Sequence, residues 1–281
     1  MKTHKTVYLL GSGFSKAAGA PLGRELMEKI FDQHDKPNIN KMKHWIYKHI
    51  FPTKKDWISN CEIDELISRL TLHCYYNNQC QHTSELLNVI IKELANSVNC
   101  QLDKADFAIY RNFIERLKPR DTVITLNYDT ILERSGIKGK TRNLLKLHGS
   151  ISWSWCSRCK YYTFHSSWQT GMICPKCHYP LLPLIVPPQI TIAEHYSPLI
   201  PFYNYAINAI KKSDRIVIIG YSLPATDYDI KMLLLLGIKQ NPRKIPIYII
   251  NGPHCDIKNY EILRRHLIKI KMTAEDWLKL Q

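Results

Sequence analysis

Residues 7–23 read VYLLGSGFSKAAGAPLG. A short aliphatic run breaks at Gly11, Gly13 and Gly19, and a helical pattern follows from Leu22 to Phe31. The stretch reads as strand, tight turn and helix. Glycine adopts backbone angles that other residues avoid, and it brings no side chain to hold a ligand away. Such a turn also aims backbone N–H groups and the positive end of a helix dipole at one point, where anions bind. In doubly wound sheets that point lies at the carboxyl ends of the strands, where ligands sit. The third glycine comes too late for the usual dinucleotide fingerprint. Taken alone, the loop reads equally well as a close-packed strand–helix turn.

The rest of the chain supplies neighbours for this strand. Aliphatic runs recur at 121–126 (DTVITL), near 144–148 (LLKLH), at 215–220 (RIVIIG) and at 245–250 (IPIYII), with LIKIK at 267–271 as an edge strand. Short aliphatic runs separated by helices or long connections suit a parallel sheet covered on both faces. Between the first run and the second the periodicity is helical, near 39–50, 63–76, 83–98 and 103–117. In IDELISRL, Ile63, Leu66, Ile67 and Leu70 share one face. TAEDWLKL at 273–280 reads as a final helix with Thr273 as its N-cap. The expected fold is α/β: a Rossmann-like parallel sheet from residues 1–23, 120–150 and 180–281, a helical insert at 24–119 and a small zinc-ribbon module at 151–179.

The full length of 281 residues suits one large domain, or a core domain with modules attached. No apolar run is long enough to span a bilayer, and the N-terminal apolar stretch is too short for a signal peptide. A cytoplasmic protein with no membrane partner is expected. The formal net charge of +15 fits an anionic ligand, nucleic acid or an acidic partner; it fits a solvated basic surface equally.

Polar residues gather where the runs end. TLNYDT closes the second with Asn127, Tyr128 and Asp129. These fall at the ligand crevice of such a sheet, although Asp129 or Thr130 can equally cap the helix that ILER begins. KLHGS closes the third with His148, whose imidazole titrates near neutrality and suits a general base. A lone histidine at a strand end is more often structural, but this one shares its crevice with Asn127 and the glycine loop. GYSLPATDYD and IINGP close the fourth and fifth runs.

Of the nine cysteines, four form the pairs Cys156/Cys159 and Cys174/Cys177, in CSRC and CPKC, fourteen residues apart. That spacing suits tetrahedral zinc held by four thiolates, a closed and therefore structural site. His165 and His178 lie nearby and are not needed for coordination. Trp153, Trp155, Tyr161, Tyr162, Phe164 and Trp168 surround the pairs, with Arg158, Lys160 and Lys176 among them. They read as the small core of a metal-bound module, or as a nucleic-acid surface of rings and cations.

The ordered set GSGFSKAAGAPL (11–22), TLNYD (125–129), KLHGS (146–150), the cysteine pairs, GYSL (220–223) and IIN (249–251) resembles the sirtuin-type NAD-binding family, in its divergent bacterial branch. The motifs keep the family's order across nearly the whole chain. The resemblance implies NAD as substrate and a zinc that stays out of the chemistry. It implies Gly11, Ser12, Gly13, Phe14, Ser15, Gly19 and Ala20 along the diphosphate, and Gly220, Ser222 and Asn251 by the adenosine half. It puts Asn127 and Asp129 at the nicotinamide ribose and His148 as catalytic base.

Sirtuin deacylases follow the glycine loop with an acidic residue, an aromatic and an arginine; here the stretch is Pro21-Leu22-Gly23-Arg24, with Arg24 a displaced counterpart. The altered loop and the helical insert look like the branch that hydrolyses NAD, often in defence against phage. Many of those relatives lack the zinc site, which favours the alternative of an NAD-dependent protein deacylase. A third alternative is a non-catalytic module that binds NAD, ADP-ribose or nucleic acid. An NAD hydrolase that is always active would be toxic, so an activating protein partner or a homo-oligomer is also expected.

Overall fold

The aliphatic runs become strands, and those at the centre of the sheet are buried on both faces. In the computed structural model β1 (Thr6–Leu10), β2 (Thr122–Thr125) and β7 (Arg215–Ile219) are buried along nearly their whole length, as parallel strands under helices must be. The structure describes all residues except 1–3, 22, 32–36, 77–79, 104, 140–142, 166–170, 187–197, 225–226, 254–256, 264–266 and 281, and it omits the side chains of 23, 24, 37, 38, 75 and 80–84. Arg24, Trp168 and Leu22 therefore lie outside what is described.

Six strands form one sheet in the order β3-β2-β1-β7-β8-β9, with β3 (Leu144–Lys146), β8 (Ile247–Asn251) and β9 (Leu267–Lys271) completing it. Every pairing is parallel; Leu9 lies opposite Ile124 on one side and Ile218 on the other. This is the strand order of a doubly wound dinucleotide-binding sheet, and its order reverses between β1 and β7. The glycine loop follows β1, directly at that switch point. The third run is shorter than expected: Leu147 and His148 leave β3 in a turn, and a new strand begins at Gly149. LIKIK is an edge strand, as its two lysines suggest.

The chain divides into two units. The first comprises residues 1–20, 104–150 and 193–281. On one side of its sheet α6 (Ala108–Arg116) buries Tyr110, Phe113 and Ile114. The Phe113 ring meets Tyr8 at 5.3 Å and Phe14 at 5.5 Å. The C-terminal helix Ala274–Lys279 starts on Thr273, whose hydroxyl accepts the Asp276 N–H as expected. The other side is covered by helices Ile200–Lys211 and Tyr228–Lys239, whose buried faces include Ala206, Ile210, Ile230 and Leu234.

The second unit comprises residues 21–103 and 151–192. It holds α2 (Gly23–Phe31), α3 (Pro37–His49), α4 (Ile63–Tyr76) and α5 (Cys80–Leu102). The face expected of α4 is the buried one, with Ile63, Leu66, Ile67 and Leu70 all at 2% exposure or less. The unit also carries a three-stranded sheet in the order β5-β4-β6, from β4 (Gly149–Cys156), β5 (Tyr162–Phe164) and β6 (Leu181–Ile185). No helix among the described residues is long and apolar enough to cross a membrane.

Candidate active site and four-cysteine centre

The loops after β1 and β7 are held together by their glycines. Gly11 N–H donates to Ile219 O at 3.0 Å and Gly13 N–H to Gly220 O at 2.8 Å. A Cβ on Gly13 would stand 2.8 Å from the Gly220 Cα, and one on Gly11 would stand 2.6 Å from the Tyr221 Cβ. Gly220 has φ +62°, and a Cβ there would fall 2.3 Å from Phe14 N, so only glycine fits. These residues make the close approach that a packed turn needs, at the switch point where a ligand binds. After the short helix α1 (Ser12–Ser15), Gly19 closes the loop in the left-handed region and donates to Lys16 O. Ser12 is exposed and Ala20 buried. The Phe14 ring turns into the core against Tyr110, whose hydroxyl donates to Phe14 O at 2.9 Å.

Ser15 joins the loop to the end of β2. Its hydroxyl donates to Asp129 Oδ2 at 2.6 Å and accepts from Asn127 Nδ2 at 2.7 Å. Asn127 Nδ2 gives its other hydrogen to Gly11 O at 2.8 Å. Both amide hydrogens point inward to acceptors, which fixes the side chain's orientation and leaves Oδ1 as its outward acceptor. Asp129 Oδ1 accepts the Ile131 N–H at 3.0 Å, so Asp129, not Thr130, caps the turn α7 (Ile131–Arg134). Of the two roles the sequence left open for Asp129, the structure displays the capping one.

Beneath Asp129 lies Lys146, 1% exposed, on the edge strand β3. Its ammonium donates to Asp129 O and pairs with Glu133 at 2.9 Å. Burial pushes the Asp129 carboxyl above its ordinary value, while Lys146 and the Ser15 hydrogen bond oppose that. Neither Lys146 nor Glu133 was singled out in the sequence. The signal was a lysine in an otherwise apolar run, with a glutamate four residues beyond Asp129.

His148 sits just past β3, 4% exposed. It hydrogen-bonds the backbone of Leu126, and its Nε2 is buried without a partner among the described residues. The proton is therefore on Nδ1, and Nε2 carries a free lone pair. Burial, only partly opposed by that hydrogen bond, pulls its pKa down to about 4, so the ring is neutral across the physiological range. Tyr128 lies beside it, with ring centroids 6.3 Å apart.

This has a consequence for stability. The folded pKa lies below the unfolded value, so as pH falls the unfolded chain takes up the proton first. The contribution is complete above about pH 6.5 and is lost on the way to pH 4. Between pH 7 and pH 4.5 His148 alone should cost roughly 2–3 kcal/mol. Urea denaturation at both pH values checks this: His148→Leu should lose that much less than wild type, and an identical loss would show that the ring is not buried as a neutral base.

At β8, Asn251 Nδ2 donates to Tyr221 O at 2.8 Å, which ties the strand end to the β7 loop. The Tyr221 hydroxyl donates to buried Asp227, and the Tyr260 hydroxyl to Tyr221 O. Ser222 is exposed in that loop. A cavity of about 390 Å³ lies at the other end of the sheet, lined by Lys5, Thr122 and Asn143. It is at the amino ends of the strands, away from this constellation, and doubly wound sheets place their chemistry at the carboxyl ends.

The second unit brings its four cysteines together. The Sγ atoms of Cys156, Cys159, Cys174 and Cys177 all lie within 4.8 Å of one another. Cys156 and Cys177 are 3.4 Å apart, and Cys159 and Cys174 3.5 Å. Sulfurs bound about 2.3 Å from one zinc lie about 3.8 Å apart, so the cluster fits the ion. The two pairs are built alike. Cys156 N–H donates to Tyr161 O and Lys160 N–H to Cys156 O; Cys174 N–H donates to Tyr179 O and His178 N–H to Cys174 O. Lys160 and His178 both take positive φ, 59° and 57°. His178 is thus a turn residue, and His165 bonds Ser154 Oγ at 2.7 Å. Of the surrounding aromatics, Trp153, Trp155, Tyr161 and Tyr162 are half-buried and Phe164 is exposed.

The Sir2 family model matches residues 76–226, more than half of the chain. No curated protein matches it. Among solved structures, a Sir2 homologue–NAD complex aligns over 99% of this chain and 88% of that one, with a TM-score of 0.59 and 18% identity. A Sir2 homologue mutant in complex with 2'-O-acetyl ADP-ribose aligns over 99% and 90%, at 0.59 and 17%. Sir2Tm bound to a propionylated peptide aligns over 99% and 92%, at 0.51 and 16%.

Proposed function

The chain belongs to the Sir2 family, and from that premise we propose that it is an NAD hydrolase. It cleaves the bond between nicotinamide and ribose with water as acceptor, giving nicotinamide, ADP-ribose and a proton. The observation that carries this reading is the network of Ser15, Asn127 and Asp129 past β2, with a buried neutral His148 past the adjacent β3 whose Nε2 has no partner among the described residues. As the bond lengthens, positive charge develops on the ribose. Asp129 offsets that charge from a fixed position. Asn127 Oδ1 accepts a hydrogen from the attacking water or a ribose hydroxyl and so orients it. His148 Nε2 takes the proton the water loses. Gly11, Ser12, Gly13, Phe14, Ser15, Gly19 and Ala20 line the diphosphate, with Phe14 only shaping the loop, since its ring is in the core and its backbone N–H and C=O bond Gly11 and Tyr110. Gly220, Ser222 and Asn251 meet the adenosine half. The four cysteines hold a structural zinc with no open position.

The test is nicotinamide release from NAD by the purified protein with no peptide present. Release without peptide supports hydrolysis. The four-cysteine cluster favours a second reading, NAD-dependent deacylation of an acyl-lysine peptide. Release that requires an acetylated peptide, with acyl transfer to ADP-ribose, would replace the first reading with the second.

A further inference from the structure

The aromatic residues of the cysteine-bearing module take no part in the chemistry above, and their placement has its own logic. The phase of β4 turns Ser150, Ser152 and Ser154 inward, at 0, 8 and 0% exposure. Trp153 and Trp155 lie on the opposite side, half-buried, in phase with the fully buried Ile151. The antiparallel register sets Trp153 against Phe164 and Trp155 against Tyr162, and residues directly opposed across strands share a face. One face of this small sheet thus carries four rings.

Trp153 and Phe164 meet edge to face at 5.6 Å, and Phe164 is 67% exposed. The Lys160 ammonium stands 5.0 Å over Trp155, and that of Lys176 stands 4.5 Å over neighbouring Tyr161. Arg158, Lys160 and Lys176 are all exposed. The charge is also one-sided, since the sequence holds no Asp or Glu between Glu133 and Glu194. A four-thiolate zinc carries a charge of about −2 at the metal, but every charged side chain in the stretch that carries the cysteines is basic.

We propose that this face binds single-stranded nucleic acid, with bases stacked on the rings of β4 and β5 and phosphates on Arg158, Lys160 and Lys176. An exposed base offers a flat π-surface of any sequence next to an anionic backbone, the combination that rings with cations close by match. A duplex hides its base faces and presents phosphates alone. The inference is independent of NAD chemistry, because it concerns residues of the second unit only.

The experiment uses the full-length, zinc-loaded chain and fluorescein-labelled dT20 and rU20, read by anisotropy and by tryptophan quenching. Saturable binding of either strand with quenching is expected, and the preferred strand identifies the sugar. A duplex of equal length should bind at least about tenfold more weakly. Three phosphate contacts give a slope of log K against log salt of about −2. Phe164→Ala, at an exposed position that the fold does not need, should weaken binding about tenfold. Lys160→Glu with Lys176→Glu should weaken it further, with zinc content unchanged. Absence of binding, equal affinity for duplex, indifference to Phe164→Ala, or displacement by polyglutamate as readily as by unlabelled strand would each overturn the proposal.

Discussion

His148→Ala lowers the rate of nicotinamide release from NAD by roughly a hundred- to ten-thousand-fold, the range in which a positioned general base contributes. The expectation rests on the state of one nitrogen. A buried imidazole nitrogen without a partner is costly to keep, and Nε2 of His148 is in that position. The pKa of about 4 keeps its lone pair available at every pH at which NAD is handled. It also means that the base works through position more than through basicity, since its intrinsic pull on a proton is weak. Two controls make the result specific. The KM for NAD should change little, because the proposed diphosphate contacts lie on the loop after β1 and His148 lies past β3. His148→Gln, which keeps a polar atom but offers no imidazole, should be as inactive as alanine. A His148→Ala protein that is folded and keeps more than a tenth of the wild-type rate would remove the histidine from the mechanism. Asn127 would then be the remaining group able to orient water.

The parts of this site that were legible in the sequence are those where one residue type has one use. Gly11, Gly13 and Gly220 stand out because a Cβ at those positions meets backbone, and the sequence records that constraint directly. The cysteine pairs stand out by spacing alone. His148 and Asn127 were visible as polar residues that end aliphatic runs. What stayed hidden depends on distance across the fold. Ser15 read as a diphosphate contact, yet it is the link between Asn127 and Asp129, more than a hundred residues away. Lys146 read as part of a strand, because periodicity cannot say that an edge-strand lysine turns inward to Glu133. The aromatics near the cysteines read as core because a small module has little else to bury. The structure leaves four of them half-buried and Phe164 exposed, because the intervening serines take the more buried phase of β4. Strand phase is a register property, and one residue of shift reverses it.

The other large effect concerns the four cysteines. Purified protein should contain one zinc per chain, and Cys174→Ser should lose both the ion and the order of residues 149–185. The reason is the scarcity of fully buried apolar side chains among the described residues there: Ile151, Leu181, Leu184 and Ile185 are buried, while β4 buries serines and leaves its tryptophans half-buried. Such a core cannot offset the chain entropy of roughly 1–2 kcal/mol for each ordered residue. A structural zinc in small peptides contributes an apparent 10–16 kcal/mol or so, which is in effect the folding free energy of the module. Removal by a chelator should therefore open the turns at Lys160 and His178, whose left-handed backbone follows each cysteine pair directly and bonds back to its first member. Limited proteolysis at Arg158, Lys160 and Lys176 reads this directly, and those bonds should resist trypsin with zinc and yield without it. Helix Ile200–Lys211 and the six-stranded sheet belong to the first unit, so far-ultraviolet circular dichroism should fall only in part. If zinc-free protein kept these turns closed to trypsin, the four thiols would be ordinary reduced cysteines and the module would have a source of stability other than metal.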